Sequence, residues 1–240
     1  MDLDLEVKQK QFNAAMELYN TRKRYKLLGT LTSIINIALQ IYLLCQLPAI
    51  TTGAGWQIFS VVSAFVLADL VNGLVHMIMD NNDRYDSVAG PLIAQFHLHH
   101  RTPMYRKHPL PVVYFNETGS KIWLAAYLAA IALALAVSAP NPVLVHILVY
   151  LGILSSVAEV SHYLCHSSTS GTAMFLGRIG VLLAKHHHAK HHLQDNNNYA
   201  FLNGCSDPLI NLIAGRCYRG YKKTTDRHFA IYAGAESENR

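Results

Sequence analysis

The chain has 240 residues, of which 51% are hydrophobic and only 15% charged, a balance too apolar for an ordinary soluble domain of this length. A formal net charge of +5 suits anionic lipid headgroups, and no basic motif with interleaved aromatics supports a nucleic-acid partner. Cys45, Cys165, Cys205 and Cys217 fall in no paired spacing and read as reduced thiols.

In chain order, residues 1–26 open with Asp2, Asp4 and Glu6 and close on Arg22-Lys23-Arg24, the pattern of an interfacial or frayed helix. With an acidic start and a long apolar run behind it, this segment is not expected to be a signal or transit peptide. Apolar runs then predict four membrane spans at about residues 27–50, 55–79, 122–139 and 142–165, each near the roughly 20 residues that cross hydrocarbon. The second contains Asp69 as its only acid and the fourth Glu159, while the third is rich in Ala, Leu and Ile and a little short. Short uncharged turns join the spans in pairs.

All 20 Lys and Arg lie in the N-terminal segment, in the loop 80–121 or after residue 161. The positive-inside rule therefore puts both termini and the central loop in the cytosol. Trp56 and Trp123 open the second and third spans, at interfacial depth. The expected architecture is an all-α membrane protein in which residues 27–240 form one four-span domain. A histidine-rich cytosolic cap comes from 80–121 and 166–214, and a basic tail, 215–240, lies on the membrane surface. The membrane is expected to be a bacterial inner membrane or the endoplasmic reticulum.

Fourteen histidines need a chemical reason. His76 and Asp80 share one helix face at the end of the second span, and His162 and His166 share one at the end of the fourth. From Trp56 to His76 and from Pro142 to His162 the interval is the same 20 residues, which places both pairs about 30 Å from the outer surface. His97-Leu98-His99-His100 and His186-His187-His188-Ala189-Lys190-His191-His192 follow on the same side. A single histidine such as His146 or His228 is ordinarily a surface or capping residue, and the 186–192 run alone could be a metal-sequestering tract. Four clusters at one depth are different, because several imidazoles must converge to hold a metal. Eight or more such ligands exceed one coordination sphere, so the inventory points to two metals. Asp69 and Glu159 share faces with these histidines and are expected to orient a ligand imidazole rather than to ligate. Glu159-x-x-His162 also resembles half of the Glu-x-x-His pattern of soluble di-iron bundles.

From Ala68 to Leu212 the chain resembles the membrane lipid desaturase family that includes plasmanylethanolamine desaturase and the plastid phosphatidylglycerol desaturase. Ala68-Asp69, Gly73-Leu74-Val75-His76 and Asp80 look like that family's opening motif. Phe96, His99-His100 and Pro103 are similar to its second element, Phe115-x-Glu117-Thr118 to a signature of its ether-lipid branch, and Asn196-Asn197-Asn198-Tyr199 to its plastid branch. His162-x-x-x-His166 and His188-x-x-His191-His192 resemble its remaining boxes. The resemblance implies a ligand set of His76, His99, His100, His162, His166, His188, His191 and His192. His108, Asp80, Asp69 and Glu159 are further candidates for ligand or supporting roles. His97, His186 and His187 are additional to the family pattern, so His97 and His186 should tolerate Ala.

The resemblance also implies two iron ions, O2 and removal of two hydrogens from adjacent carbons of an intact ether- or ester-linked phospholipid, near its headgroup end. Breaking an unactivated C–H bond needs an oxidant that acid–base side chains cannot supply. No Rossmann glycine motif, ferredoxin cysteine set or fused haem domain is present, so an external donor of the cytochrome b5 or ferredoxin type is implied. A lipid hydroxylase would share the same site. A metal transporter would need polar residues through the membrane depth, where the first and third spans offer only Asn36, Gln40, Gln46 and scattered hydroxyls.

Overall fold

The computed structural model describes residues 3–101 and 107–232; Pro103 and residues 233–240 of the expected tail lie outside them. Every regular element among the described residues is helical: α1 (Leu3–Thr21), α2 (Lys23–Gln46), α3 (Ala54–Asp80), α4 (Gly90–Arg101), α5 (Leu110–Thr118), α6 (Ile122–Val137), α7 (Pro142–Ser167), α8 (Gly171–Arg178), α9 (Lys185–Leu193) and α10 (Asp207–Cys217).

Three helices are long and apolar enough to cross a membrane: α2 with its one-turn extension to Ala49, α3 and α7. Their outward faces expose Ile41, Ile58, Val62 and Leu144, a surface that favours hydrocarbon over water. The expected span at 122–139 takes a different form. Its helix, α6, has 16 residues and reaches span length only together with α5, across an 87° bend. Backbone groups at such a break must find partners, and α2 supplies them. Asn36 Nδ2 donates to Thr118 O at 3.3 Å and Lys121 O at 3.1 Å, and Ser33 Oγ to Phe115 O at 2.6 Å. A Cβ on Gly119 would stand 2.6 Å from Gly29 O, so glycine permits the close crossing.

α3 carries a buried stripe at intervals of four: Ser60, Ala64, Ala68, Asn72, His76 and Asp80. Its small first half lets α7 approach through Ser155 and Ala158, which are also buried; Asn72 Nδ2 donates to Ser155 Oγ at 3.1 Å. The same stripe turns polar in its last two turns and delivers His76 and Asp80 to the cap.

The N-terminal segment and the tail are both built into that cap. α1 packs Phe12, Ala15 and Met16 against Tyr85, Ile93, Ala94 and Phe229, so it is a packed helix rather than a frayed one. Beyond α10, Tyr221 is wholly buried and Thr225 Oγ1 donates to Asp80 O at 2.6 Å. Residues 218–232 therefore cover the end of α3. In both segments charged residues alternate with a short buried apolar stripe, and composition averages the two.

Asp69 is fully buried on α3. Its Oδ1 accepts from the backbone N–H groups of Leu202, Asn203 and Gly204, and its Oδ2 from the N–H and hydroxyl of Ser206, at 2.7–3.2 Å. Asp69→Ala would strand several buried donors at about 1–3 kcal/mol each. The expected result is a fall of the thermal midpoint by at least about 5 °C, read by scanning calorimetry.

Candidate metal centre

Two groups of ligand atoms converge where α3, α4, α7 and α9 meet. In the first, His76 and Asp80 come from the end of α3, His99 and His100 from the end of α4, and His191 from α9, all with atoms within 4.8 Å of one another. The Nε2 atoms of His76, His100 and His191 lie 3.4, 3.4 and 3.3 Å from the Asp80 carboxylate. Two ligand atoms each about 2.1 Å from a shared ion, at an angle of about 90–110°, stand about 3.0–3.4 Å apart. The spacing is that of a coordination sphere.

His162 and His166 from α7 and His188 from α9 form the second group. His162 Nε2 lies 2.9 Å from His188 Nε2 and 3.1 Å from His166 Nε2, and His192 Nε2 joins at 3.1 Å from His188 Nε2. The groups adjoin, with the His76 and His162 ring centroids 6.1 Å apart.

The surroundings fix which nitrogen faces inward. Nδ1 of His76 meets Tyr199 O at 2.8 Å, that of His99 meets Phe96 O at 2.6 Å, that of His100 meets Asp226 Oδ1 at 2.8 Å and that of His191 meets Asn197 O at 3.0 Å. These oxygens accept, so the proton sits on Nδ1 and the Nε2 lone pair is left for the centre. His76 Nε2, His99 Nε2 and both Asp80 oxygens are buried with no hydrogen-bond partner among the described residues. A shared cation would satisfy all four. Burial holds the pKa of His99 down to about 4 and those of His100, His188 and His191 well below the ordinary 6.5, giving the neutral imidazoles that metal binding requires. The donor set thus fits a pair of metal ions.

The other candidates fall elsewhere. Asp69 holds the 202–206 loop, as described, and Glu159 Oε1 pairs with Lys121 Nζ at 2.9 Å; the expected role of orienting an imidazole belongs instead to backbone carbonyls and Asp226. His108 is exposed and meets Tyr163 OH through its backbone. His97 is buried, with Nε2 at 2.8 Å from Met79 O and Nδ1 at 2.9 Å from Tyr85 OH, so Ala at 97 would leave a cavity and orphan two groups, contrary to the tolerance expected from sequence. His187 Nε2 donates to Asp207 Oδ2 at 2.6 Å, tying α9 to α10, and His186 is exposed.

Beside the centre is a cleft of about 590 Å³ lined by residues from α1 to α7, with one histidine from each group, His99 and His162, in its wall. Leu28, Gly29, Phe115 and Ile122 give it an apolar side, and Lys26, Gln95, Glu117 and Glu159 a polar one. Leu28 and Ile122 are also exposed outward, where their helices begin.

The family model for the lipid desaturase domain matches residues 65–215, a stretch that contains all eight converging histidines and Asp80. The chain belongs to the lipid desaturase domain family. No curated protein and no solved structure matches it. Within this lipid desaturase domain the helices α3, α4, α7 and α9 hold the histidines, but the site extends past the matched residues at both ends. Asp226, on His100, lies beyond residue 215, and the cleft wall from Tyr19 to Ser33 precedes residue 65. Sequence reading missed Asp226 because its only signal is one acid amid Lys222, Lys223 and Arg227.

Proposed function

We propose that this protein is an O2-dependent desaturase with two irons, acting on an intact ether- or ester-linked membrane phospholipid within a few carbons of its glycerol linkage. The observation that carries the reading is the convergence of eight imidazoles in two adjoining groups, walled on one side by a cleft at the start of α2 and α6. His76, His99, His100, His191 and Asp80 would hold one ion, and His162, His166, His188 and His192 the other. When bound, the iron pair supplies the oxidising power that side chains lack.

The chain's own residues set up the rest. Acceptors on Nδ1 keep the first group's rings oriented, and burial keeps them neutral. The apolar side of the cleft takes the first carbons of a lipid chain and excludes water, and Lys26 at its polar side suits the phosphate. The Lys121–Glu159 pair, with Lys121 also donating to Asn72 Oδ1, fixes the turn between α5 and α6 against α7. α1, residues 218–232 and the eight converging histidines lie at one end of the bundle and the uncharged turns at the other, which supports cytosolic termini under the positive-inside rule. Electrons then come from a carrier on that side, of the cytochrome b5 or ferredoxin type.

Protein purified from iron-replete cells should contain about two irons per chain. Elemental analysis that found stoichiometric zinc and no iron in protein active as isolated would contradict the reading.

A further inference from the structure

The reaction proposed above needs two electrons from outside. Reducing O2 to two waters takes four electrons and four protons. Forming one C=C bond supplies two of each from the lipid chain, solvent supplies the other two protons, and two one-electron carriers are each oxidised once. Where such a carrier docks depends on that reading, and among the first group's histidines His100 alone has an acid near the surface as its Nδ1 partner. His100 Nδ1 meets Asp226 Oδ1 at 2.8 Å, and Asp226 Oδ2 accepts from Lys222 Nζ at 3.1 Å. Lys222 is partly exposed, so two hydrogen bonds lead from a surface ammonium to a metal-facing imidazole. The buried Tyr221 ring packs on the same spot, with centroids 4.8 Å from His100 and 5.2 Å from His191.

Within residues 185–227 the exposed charge has one sign. Between residues 185 and 227 the acids are Asp195, Asp207 and Asp226, and each is engaged inward: Asp195 by the backbone N–H of Lys222, Asp207 by His187 and Asp226 by His100. Exposed Lys190, Arg219 and Lys223 are left to set the field. They gather because the 218–222 turn packs on the end of α9, with Asn196 Nδ2 donating to Tyr218 O at 3.0 Å and Tyr221 OH to Gln194 O at 3.0 Å.

The direction this patch faces separates a protein partner from a lipid one. Thr225 Oγ1 donates to the C=O of Asp80, the last residue of α3, so the 221–227 segment sits over the end of a spanning helix and away from its hydrocarbon length. The described wall of the substrate cleft contains no residue after His162 and is built instead on the first turns of α2 and α6 with the ends of α3 and α4. We infer that Lys190, Arg219, Lys222 and Lys223 form the docking surface for an acidic, water-soluble one-electron carrier, and that electrons enter at the Asp226–His100 side of the centre. Substrate and reductant then approach from different faces and do not compete.

The test uses the full iron-loaded chain in nanodiscs of neutral phosphatidylcholine, with the soluble haem domain of cytochrome b5 as the acidic carrier. Its Kd should weaken about tenfold between 50 and 300 mM salt, and the exposed charge reversals K190E/R219E/K223E should weaken it by a similar factor at low salt and flatten the salt dependence. Metal content and turnover with a small uncharged reductant should not change. A Kd for the haem domain unmoved by the three reversals would overturn the docking surface, as would a variant whose only loss is adhesion to phosphatidylglycerol vesicles. If the Kd behaves as expected while no reductant yields an unsaturated lipid, the proposed reaction fails and the docking surface stands.

Discussion

His188→Ala should abolish lipid oxidation while leaving the membrane helices inserted. The Nε2 of His188 stands at the centre of the second group, 2.9 Å from that of His162 and 3.1 Å from that of His192, so its removal opens the sphere of one ion. Loss of a partner that merely orients a metal ligand costs about 10- to 100-fold. Loss of a ligand should exceed that, and turnover should fall by more than about 100-fold with about one metal missing per chain. The side chain is on a cap helix, outside the spans, so membrane extraction and the far-UV helix signal should match the parent protein. A variant that kept most of its turnover would remove His188 from the ligand set.

Asp80→Ala should empty the other group. Both carboxylate oxygens are buried without a hydrogen-bond donor among the described residues and stand 3.3–3.4 Å from three imidazole Nε2 atoms. An uncompensated buried carboxylate costs several kcal/mol, a cost that a cation shared with these imidazoles would offset. The expected outcome is loss of about one metal per chain and of activity, with the metal-free variant at least as heat-stable as metal-free parent protein, because the orphaned charge is gone. Full metal content in Asp80→Ala would show that the carboxylate is no ligand. Greater heat stability of the metal-free parent than of the metal-free variant would show that Asp80 has a structural partner instead.

Much of this was legible in the sequence because it depends on spacing along single helices. Four-residue intervals at His76 and Asp80 and at His162 and His166, together with apolar runs of span length that hold at most one acid each, mark which faces and which end of the bundle would carry the site. What stayed hidden depends on contacts between distant segments. Asp69 shares a face with His76, yet a helix face does not say whether a ligand ring or a loop will meet it, and the 202–206 loop does. His97 and His99 read as one cluster, but residues two apart on a helix point roughly 200° apart; one enters the centre and the other faces Tyr85 and Met79. From sequence the third span reads as a single short helix because Lys121 looks like the edge of a polar loop. That lysine is instead buried against Glu159 and Asn72, and the span bends around it. Asp226 reaches His100 across 126 residues of sequence, a separation no local pattern records.

The most direct test of the central claim is mass spectrometry, with double-bond positions assigned, of lipids from cells that express the protein or its His188→Ala form. The expected result is a new double bond within a few carbons of the glycerol linkage in an intact phospholipid, present with the parent protein and absent with the variant. A product double bond in mid-chain, activity on acyl-CoA in preference to phospholipid, or an unchanged lipid profile alongside altered cellular metal content would contradict it.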